Sequence, residues 1–116
     1  MNGLWVRGGV LVFPEKRKLE LRDLLVRGGR IAALGEGNRT GPSVEELDVE
    51  GLYVAPGFID LQVNGGAGYN FEEATPREIR KIVDFYVSHG TTGLLPTTVT
   101  APIARIRETI ARVKEA

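Results

Sequence analysis

A β-rich lead followed by the opening of a parallel α/β fold is the class this sequence predicts, on three observations. Up to residue 54 the apolar segments are short and broken by glycines, as the strands of a small sheet structure are. Phe58–Val63 is then a longer apolar run that ends in a glycine-rich loop and leads into a well-marked helix start. A second apolar segment and a second helical stripe follow, giving the order strand, helix, strand, helix after about residue 55.

Taken in order, Leu4–Arg7 and Val10–Phe13 flank Gly8-Gly9, and Asp23–Arg27 and Arg30–Leu34 flank Gly28-Gly29. Glycine pairs supply the positive φ of a tight hairpin turn. Val-Arg-Gly-Gly thus occurs from Val6 and again from Val26, which marks two similar turns. Two copies are too few for a repeat array, which needs about three units. Gly35–Ser43 is polar and glycine-rich, a surface loop, and Leu47–Val49 and Leu52–Val54 make a further short pair around Gly51. Short antiparallel strands are expected through about residue 54.

The character changes at Pro56-Gly57. Phe58-Ile59-Asp60-Leu61-Gln62-Val63 is apolar enough for a strand buried on both faces, and Asn64–Gly68 is the loop after it. Thr75 reads as a helix N-cap, with Pro76 in the first turn and Glu78 three residues on. Ile79, Ile82, Val83 and Tyr86 share one face, the helix ends near His89, and Gly90 suits the left-handed position beyond it. Gly93–Thr97 is the second apolar segment. Pro102 opens the second helix, with Ile103, Ile106, Ile110 and Val113 along a stripe and Glu108–Arg112 as an i, i+4 pair. Two parallel strands leave sheet faces and edges uncovered, and the chain stops inside a helix without a C-cap. Either the rest of the fold is missing, or the chain assembles with something that supplies it.

Composition narrows the function classes. Fifteen basic residues cancel fifteen acidic ones, which argues against the electrostatic footprint of a nucleic-acid binder. No apolar run is long enough to cross a bilayer, and Met1–Arg7 lacks the basic-then-apolar pattern of a secretory signal, so a cytoplasmic chain is expected. Without cysteine there are no disulfides and no thiolate metal sites. Asn38-Arg39-Thr40 matches a glycosylation acceptor pattern, which we take as chance without a signal.

Ligands of parallel α/β folds sit at the carboxyl ends of the strands. That places Gln62, Asn64 and the loop Gly65–Gly68 at the candidate site, beside Thr97 and Thr98 from the next strand. Asp60 has the same facing parity as Gln62 and Asn64 and is a candidate buried carboxylate, equally readable as a salt-bridged or capping group. Gln62 and Asn64 are read either as strand-end amides that satisfy nearby backbone or as pocket residues. As neutral donors they suit hydrogen bonding or water positioning better than metal ligation. The glycines fail the dinucleotide spacing and are read as a tight turn that lets a substrate approach the backbone. His89, the single histidine, is read as structural at a helix end.

Val54-Ala55-Pro56-Gly57-Phe58-Ile59-Asp60-Leu61 resembles the passage from β-sandwich to metal-dependent barrel in the amidohydrolase superfamily. Where most of that superfamily continues with His-x-His, this chain has Gln62-Val63-Asn64 followed by glycines. That replacement, with the run His89–Thr100, resembles the N-acetylglucosamine-6-phosphate deacetylases that bind a single metal. The hairpin Val26–Gly35 fits their sandwich part.

The resemblance implies a β-sandwich part over residues 1–54. Residues 55–116 would then be the first two β/α units of a metal-dependent-hydrolase (β/α)8 barrel, incomplete within this chain. It implies hydrolysis of the acetamide of N-acetylglucosamine 6-phosphate to glucosamine 6-phosphate and acetate, using a divalent metal, zinc by preference, in the full-length protein. The pocket wall would be Gln62, Asn64, Gly65, Gly66, Thr97 and Thr98. The family's metal ligands and catalytic carboxylate match no position here, so no catalytic or metal-binding residue is assigned and the chain alone is expected to bind no metal and to be inactive. The expected partner is a small amino-sugar phosphate, with no nucleic acid or membrane, in a homo-oligomer. The alternatives are a dihydroorotase-like or deaminase-like enzyme, and a non-catalytic truncated fragment that self-associates.

Overall fold

The computed structural model describes residues 3–35 and 43–116. The interior of the loop expected at Gly35–Ser43, with Asn38-Arg39-Thr40, lies outside the described residues. The chain divides into two compact units, Met1–Pro56 and Gly57–Ala116.

Among the described residues the first unit holds seven strands, β1 (Gly3–Arg7), β2 (Val10–Phe13), β3 (Lys18–Leu21), β4 (Leu24–Arg27), β5 (Arg30–Leu34), β6 (Val44–Asp48) and β7 (Tyr53–Val54), with a 3-10 turn at Pro14–Lys16. They form a four-stranded sheet in the order β5-β4-β1-β6 and a three-stranded sheet in the order β3-β2-β7. Val6 and Leu24 of the first sheet pack with Leu11 of the second as a buried cluster, joined by Leu4, Phe13, Val26, Val49 and Val54. Gly28-Gly29 is the hairpin expected: both residues have positive φ (57° and 73°), and Arg27 faces Arg30 across it.

Gly8-Gly9 is not a hairpin. β1 and β2 belong to different sheets, and the glycines carry the chain from one to the other. The chain makes a second crossing beside the first. Val49 N donates to Arg7 O at 2.9 Å, and Val10 N donates to Leu52 O at 2.9 Å. A Cβ on Gly9 would stand 2.7 Å from Val54 Cγ2 and 2.9 Å from Val49 Cγ2, so the two crossings touch there. Because both run the same way, β6 joins β1 in parallel and β7 joins β2 in parallel, against the expectation of antiparallel strands throughout. β3 was not among the expected strands, although Lys18-Leu19-Glu20-Leu21 alternates charged and apolar residues as a half-exposed strand does.

The second unit contains β8 (Phe58–Val63), the two-residue strands β9 (Gly65–Gly66) and β10 (Tyr69–Asn70), α1 (Pro76–Ser88), β11 (Thr91–Pro96) and α2 (Ile103–Glu115). β8 and β11 pair in parallel across α1, the expected βαβ arrangement. α1 begins as its sequence dictates. Thr75 N donates to Glu78 Oε2 at 2.8 Å, and Glu78 N donates to Thr75 Oγ1 at 3.4 Å, a complete capping box. The Thr75 backbone N–H first, and then the Thr75 hydroxyl, which donates to the same Glu78 Oε2 at 2.8 Å, hold the Glu78 carboxyl below the usual carboxylate range. His89 is the C-cap residue, and Gly90 follows at φ 86°.

Ile79, Ile82, Val63, Phe71 and Ala74 form the buried core, with Tyr69, Tyr86, Leu94 and Val113 packed on it. The core gathers at the carboxyl end of β8. Phe58, Ile59 and Leu61, further back, are therefore more than two-thirds exposed, which corrects the expectation of a strand buried on both faces. Among the described residues β8 has a single neighbour, β11, within its sheet. The apolar stripe of α2 is also turned from its expected place. Ile103 and Ile110 are exposed, Ile106 and Val113 are half-buried, and Thr109 is buried with its hydroxyl donating to Arg105 O at 3.1 Å. Arg112, expected beside Glu108, instead donates to the Glu72 carbonyl and to Thr109 Oγ1. A backbone carbonyl on the neighbouring loop offers the guanidinium a fixed acceptor, whereas Glu108 is exposed.

Candidate functional site

The carboxyl ends of β8 and β11 are tied together. Thr97 N donates to Val63 O at 2.8 Å, extending the parallel pairing by one bond. Asn64 Nδ2 then donates to Thr97 O at 3.2 Å and to Thr97 Oγ1 at 3.1 Å. A carbonyl oxygen only accepts, so the nitrogen of the Asn64 amide must face Thr97. Its Oδ1 accepts from no donor among the described residues, and the side chain is exposed. The backbone of Asn64 is fixed as well, its carbonyl accepting from Phe71 N at 3.0 Å.

The chain after Asn64 forms a miniature hairpin, not an irregular loop. Tyr69 pairs with Gly66 and Asn70 with Gly65. A Cβ on Gly65 would lie 2.2 Å from Tyr69 O, and one on Gly66 would lie 2.9 Å from Tyr86 Cε2. The Cβ directions of these two glycines are therefore filled by the protein itself, and only glycine fits at either position. The hairpin tip is different: Gly68, at φ 83°, has nothing within 4 Å of its Cβ position. From α1, Tyr86 Oη donates to Gly65 O at 2.9 Å, and Lys81 Nζ donates to Tyr69 Oη at 3.2 Å.

The remaining candidates lie around this centre. Gln62 is exposed, and its backbone N–H donates to Asp60 Oδ1 at 3.1 Å. Asp60 is half-buried, not buried, because the core of the unit lies beyond it at Val63. Thr97 and Thr98 are half-buried. The structure thus joins Asn64, Gly65 and Thr97 by direct bonds and leaves Gln62 and Asp60 one step back along β8. Tyr86 was missed as a site residue, having been read only as part of an apolar helix face. A half-buried tyrosine whose hydroxyl needs a partner was the available signal. Phe71, 1% exposed, was missed altogether.

A divalent ion takes about three or four converging donors, mostly carboxylate or imidazole. Among the described residues no three His, Asp or Glu side chains are grouped to supply them. The Nδ1 of His89, the single histidine, lies 2.7 Å from Phe85 O and 3.0 Å from Ser88 Oγ, a local helix-end role. The amides at the strand ends are neutral. The residues present do not by themselves fit a resident metal.

Comparison with known proteins gives this geometry a family. Over 103 residues, 86% of the chain, the sequence is 37% identical to N-acetylglucosamine-6-phosphate deacetylase of Bos taurus. The chain is a homologue of the N-acetylglucosamine-6-phosphate deacetylases. It is also 34% identical over 104 residues, 90% of its length, to N-acetylgalactosamine-6-phosphate deacetylase of Escherichia coli O157:H7. A solved N-acetylglucosamine-6-phosphate deacetylase from Pasteurella multocida superposes with a TM-score of 0.83 at 24% identity, covering 97% of this chain and 30% of that one. This homologue spans 21% of the bovine enzyme and 26% of the E. coli enzyme. No family model matches it. Among the described residues no helix is long and apolar enough to cross a membrane.

Proposed function

We propose that these residues are the amino-terminal portion of a metal-dependent hydrolase that cleaves the acetamide of N-acetylglucosamine 6-phosphate, yielding glucosamine 6-phosphate and acetate. Residues 1–54 would be its β-sandwich part, and 55–116 the first two β/α units of its barrel. The observation that carries the reading is the Asn64–Thr97 tie at the joined carboxyl ends of two parallel strands, where ligands of such folds are held. There Gln62, Asn64, Gly65, Gly66, Thr97 and Thr98 would form a wall of the pocket. The outward Oδ1 of Asn64 is an acceptor suited to a sugar hydroxyl, an amide N–H or a bound water. Asp60 would stand behind this wall as an orienting carboxylate.

Hydrolysis of an acetamide needs water to add to the carbonyl carbon and a proton to reach the departing nitrogen. This chain places no general acid or base at the strand ends, so those groups and the metal, zinc by preference, would come from elsewhere in a longer protein. The 116 residues alone are accordingly inactive under this proposal, and the longer protein is cytoplasmic. The test is acetate release by the full natural product of the gene. N-acetylglucosamine 6-phosphate is compared with N-acetylgalactosamine 6-phosphate and with unphosphorylated N-acetylglucosamine, with zinc present. Turnover of the first supports the proposal, and turnover of none refutes it.

A further inference from the structure

We infer that Tyr86 is a positioning residue of this site: its hydroxyl, held on α1, sets the place of the Asn64–Gly65 segment and so the direction of the Asn64 amide. The inference rests on the deacetylase reading for its kinetic consequence, and on geometry alone for the rest.

Asn64 is followed at once by Gly65, whose carbonyl accepts from Tyr86 Oη at 2.9 Å. That oxygen is an acceptor in a partly buried position, and leaving such a group unmatched is costly. The ring of Tyr86 also occupies the space that a side chain on Gly66 would need, with Cε2 2.9 Å from the Cβ position. Phe85 meets the Tyr86 ring edge-on, their centroids 5.6 Å apart, which restricts its rotation. One tyrosine thus grips two successive residues, by a hydrogen bond to one and by packing on the other.

The grip is placed to matter. Asn64 is bonded on its far side to Thr97 of β11, and its own carbonyl is held by Phe71 N. The described bonds of Asn64 run to two places, two of them to Thr97, which follows β11, and one to Phe71, in the loop before α1, while its neighbour Gly65 is anchored by α1 itself. α1 is a rigid mount, closed at its start by the capping box and seated in the core through Ile79 and Ile82. Removing only the hydroxyl of Tyr86 leaves that seating intact and frees the Gly65 carbonyl to turn toward water, carrying Asn64 with it.

The experiment compares Tyr86→Phe with Thr75→Ala, which loosens the same helix at its cap and touches none of the hairpin. In the longer protein, Tyr86→Phe should raise KM for N-acetylglucosamine 6-phosphate by about threefold to tenfold, the equivalent of one net hydrogen bond, with kcat nearly unchanged. Thr75→Ala should leave KM as it was. In the 116-residue chain, the Asn64 side-chain amide signal in an NMR spectrum should shift in Tyr86→Phe and stay in place in Thr75→Ala. An unmoved Asn64 signal in Tyr86→Phe overturns the inference. So does an equal shift in both variants, which would make Tyr86 merely structural. If the unmodified longer protein releases no acetate, the deacetylase reading fails, while the positioning claim still stands or falls on the Asn64 signal.

Discussion

Two isoleucines that look alike in the sequence should behave differently when truncated. Ile82 lies on the stripe of α1 and Ile103 on that of α2, yet Ile82 is 0% exposed and Ile103 70%. Ile82→Ala removes three carbon atoms from the centre of the core formed with Val63, Phe71, Ala74 and Ile79. At about 0.8 kcal/mol per buried methylene the transfer loss is about 2.4 kcal/mol, and the cavity left behind raises it to about 3–4 kcal/mol. A domain holds only about 0.05–0.15 kcal/mol per residue, so this is at least about a third of the stability a unit the size of Gly57–Ala116 can possess. Ile103→Ala should stay within about 0.5 kcal/mol of the parent, as exposed sites do. Urea unfolding followed by circular dichroism, on both variants under identical conditions, gives the difference directly. A gap of less than about 1 kcal/mol between them would show that α1 does not seat in a core around Val63 and Phe71, and the site built on that core would fall with it.

Thr75→Ala should lower stability by about 1 kcal/mol in the same assay, since it removes the acceptor for Glu78 N. Acid should act at the same cap. The folded pKa of Glu78 is held below its ordinary 4.5, so its contribution is present above that value and is lost as pH falls through the depressed pKa. Melting curves of Glu78→Gln and the parent should therefore converge as the pH is lowered below 4.5 and through the depressed pKa, and a gap that widens on acidification would contradict the sign. Gly65→Ala must push Tyr69 O away from a 2.2 Å approach and should cost about 3 kcal/mol, while Gly68→Ala meets open space and should cost only the about 1 kcal/mol of its positive φ. Equal losses at the two positions, by thermal unfolding, would refute the packing assigned to the hairpin.

What the sequence disclosed was local. The start of α1 follows from Thr75, Pro76 and Glu78 within a few residues of one another, and the β4–β5 turn follows from two adjacent glycines. The nearness of Asn64 and Thr97 followed from a general rule about the ends of parallel strands, with no appeal to the residues between them. What stayed hidden depends on distant partners. The parallel pairing of β1 with β6 joins Arg7 to Asp48, and nothing near Gly8-Gly9 distinguishes a crossing between sheets from a hairpin. The Val-Arg-Gly-Gly at Val6 and at Val26 therefore read alike and fold differently. On α2 the stripe of isoleucines was the obvious face, but the helix turns Thr109 inward, where the hydroxyl satisfies itself on Arg105 O. The exposure of Phe58, Ile59 and Leu61 was equally unreadable, because an apolar strand declares that it can be buried and not what covers it.

The role of the strand-end wall is tested most directly by Asn64→Ala in the full natural product, reading kcat/KM for acetate release from N-acetylglucosamine 6-phosphate. The proposal predicts a loss of about tenfold or more, with unfolding behaviour close to the parent because the side chain is exposed. An unchanged kcat/KM in a correctly folded variant would contradict the placing of Asn64 at the substrate.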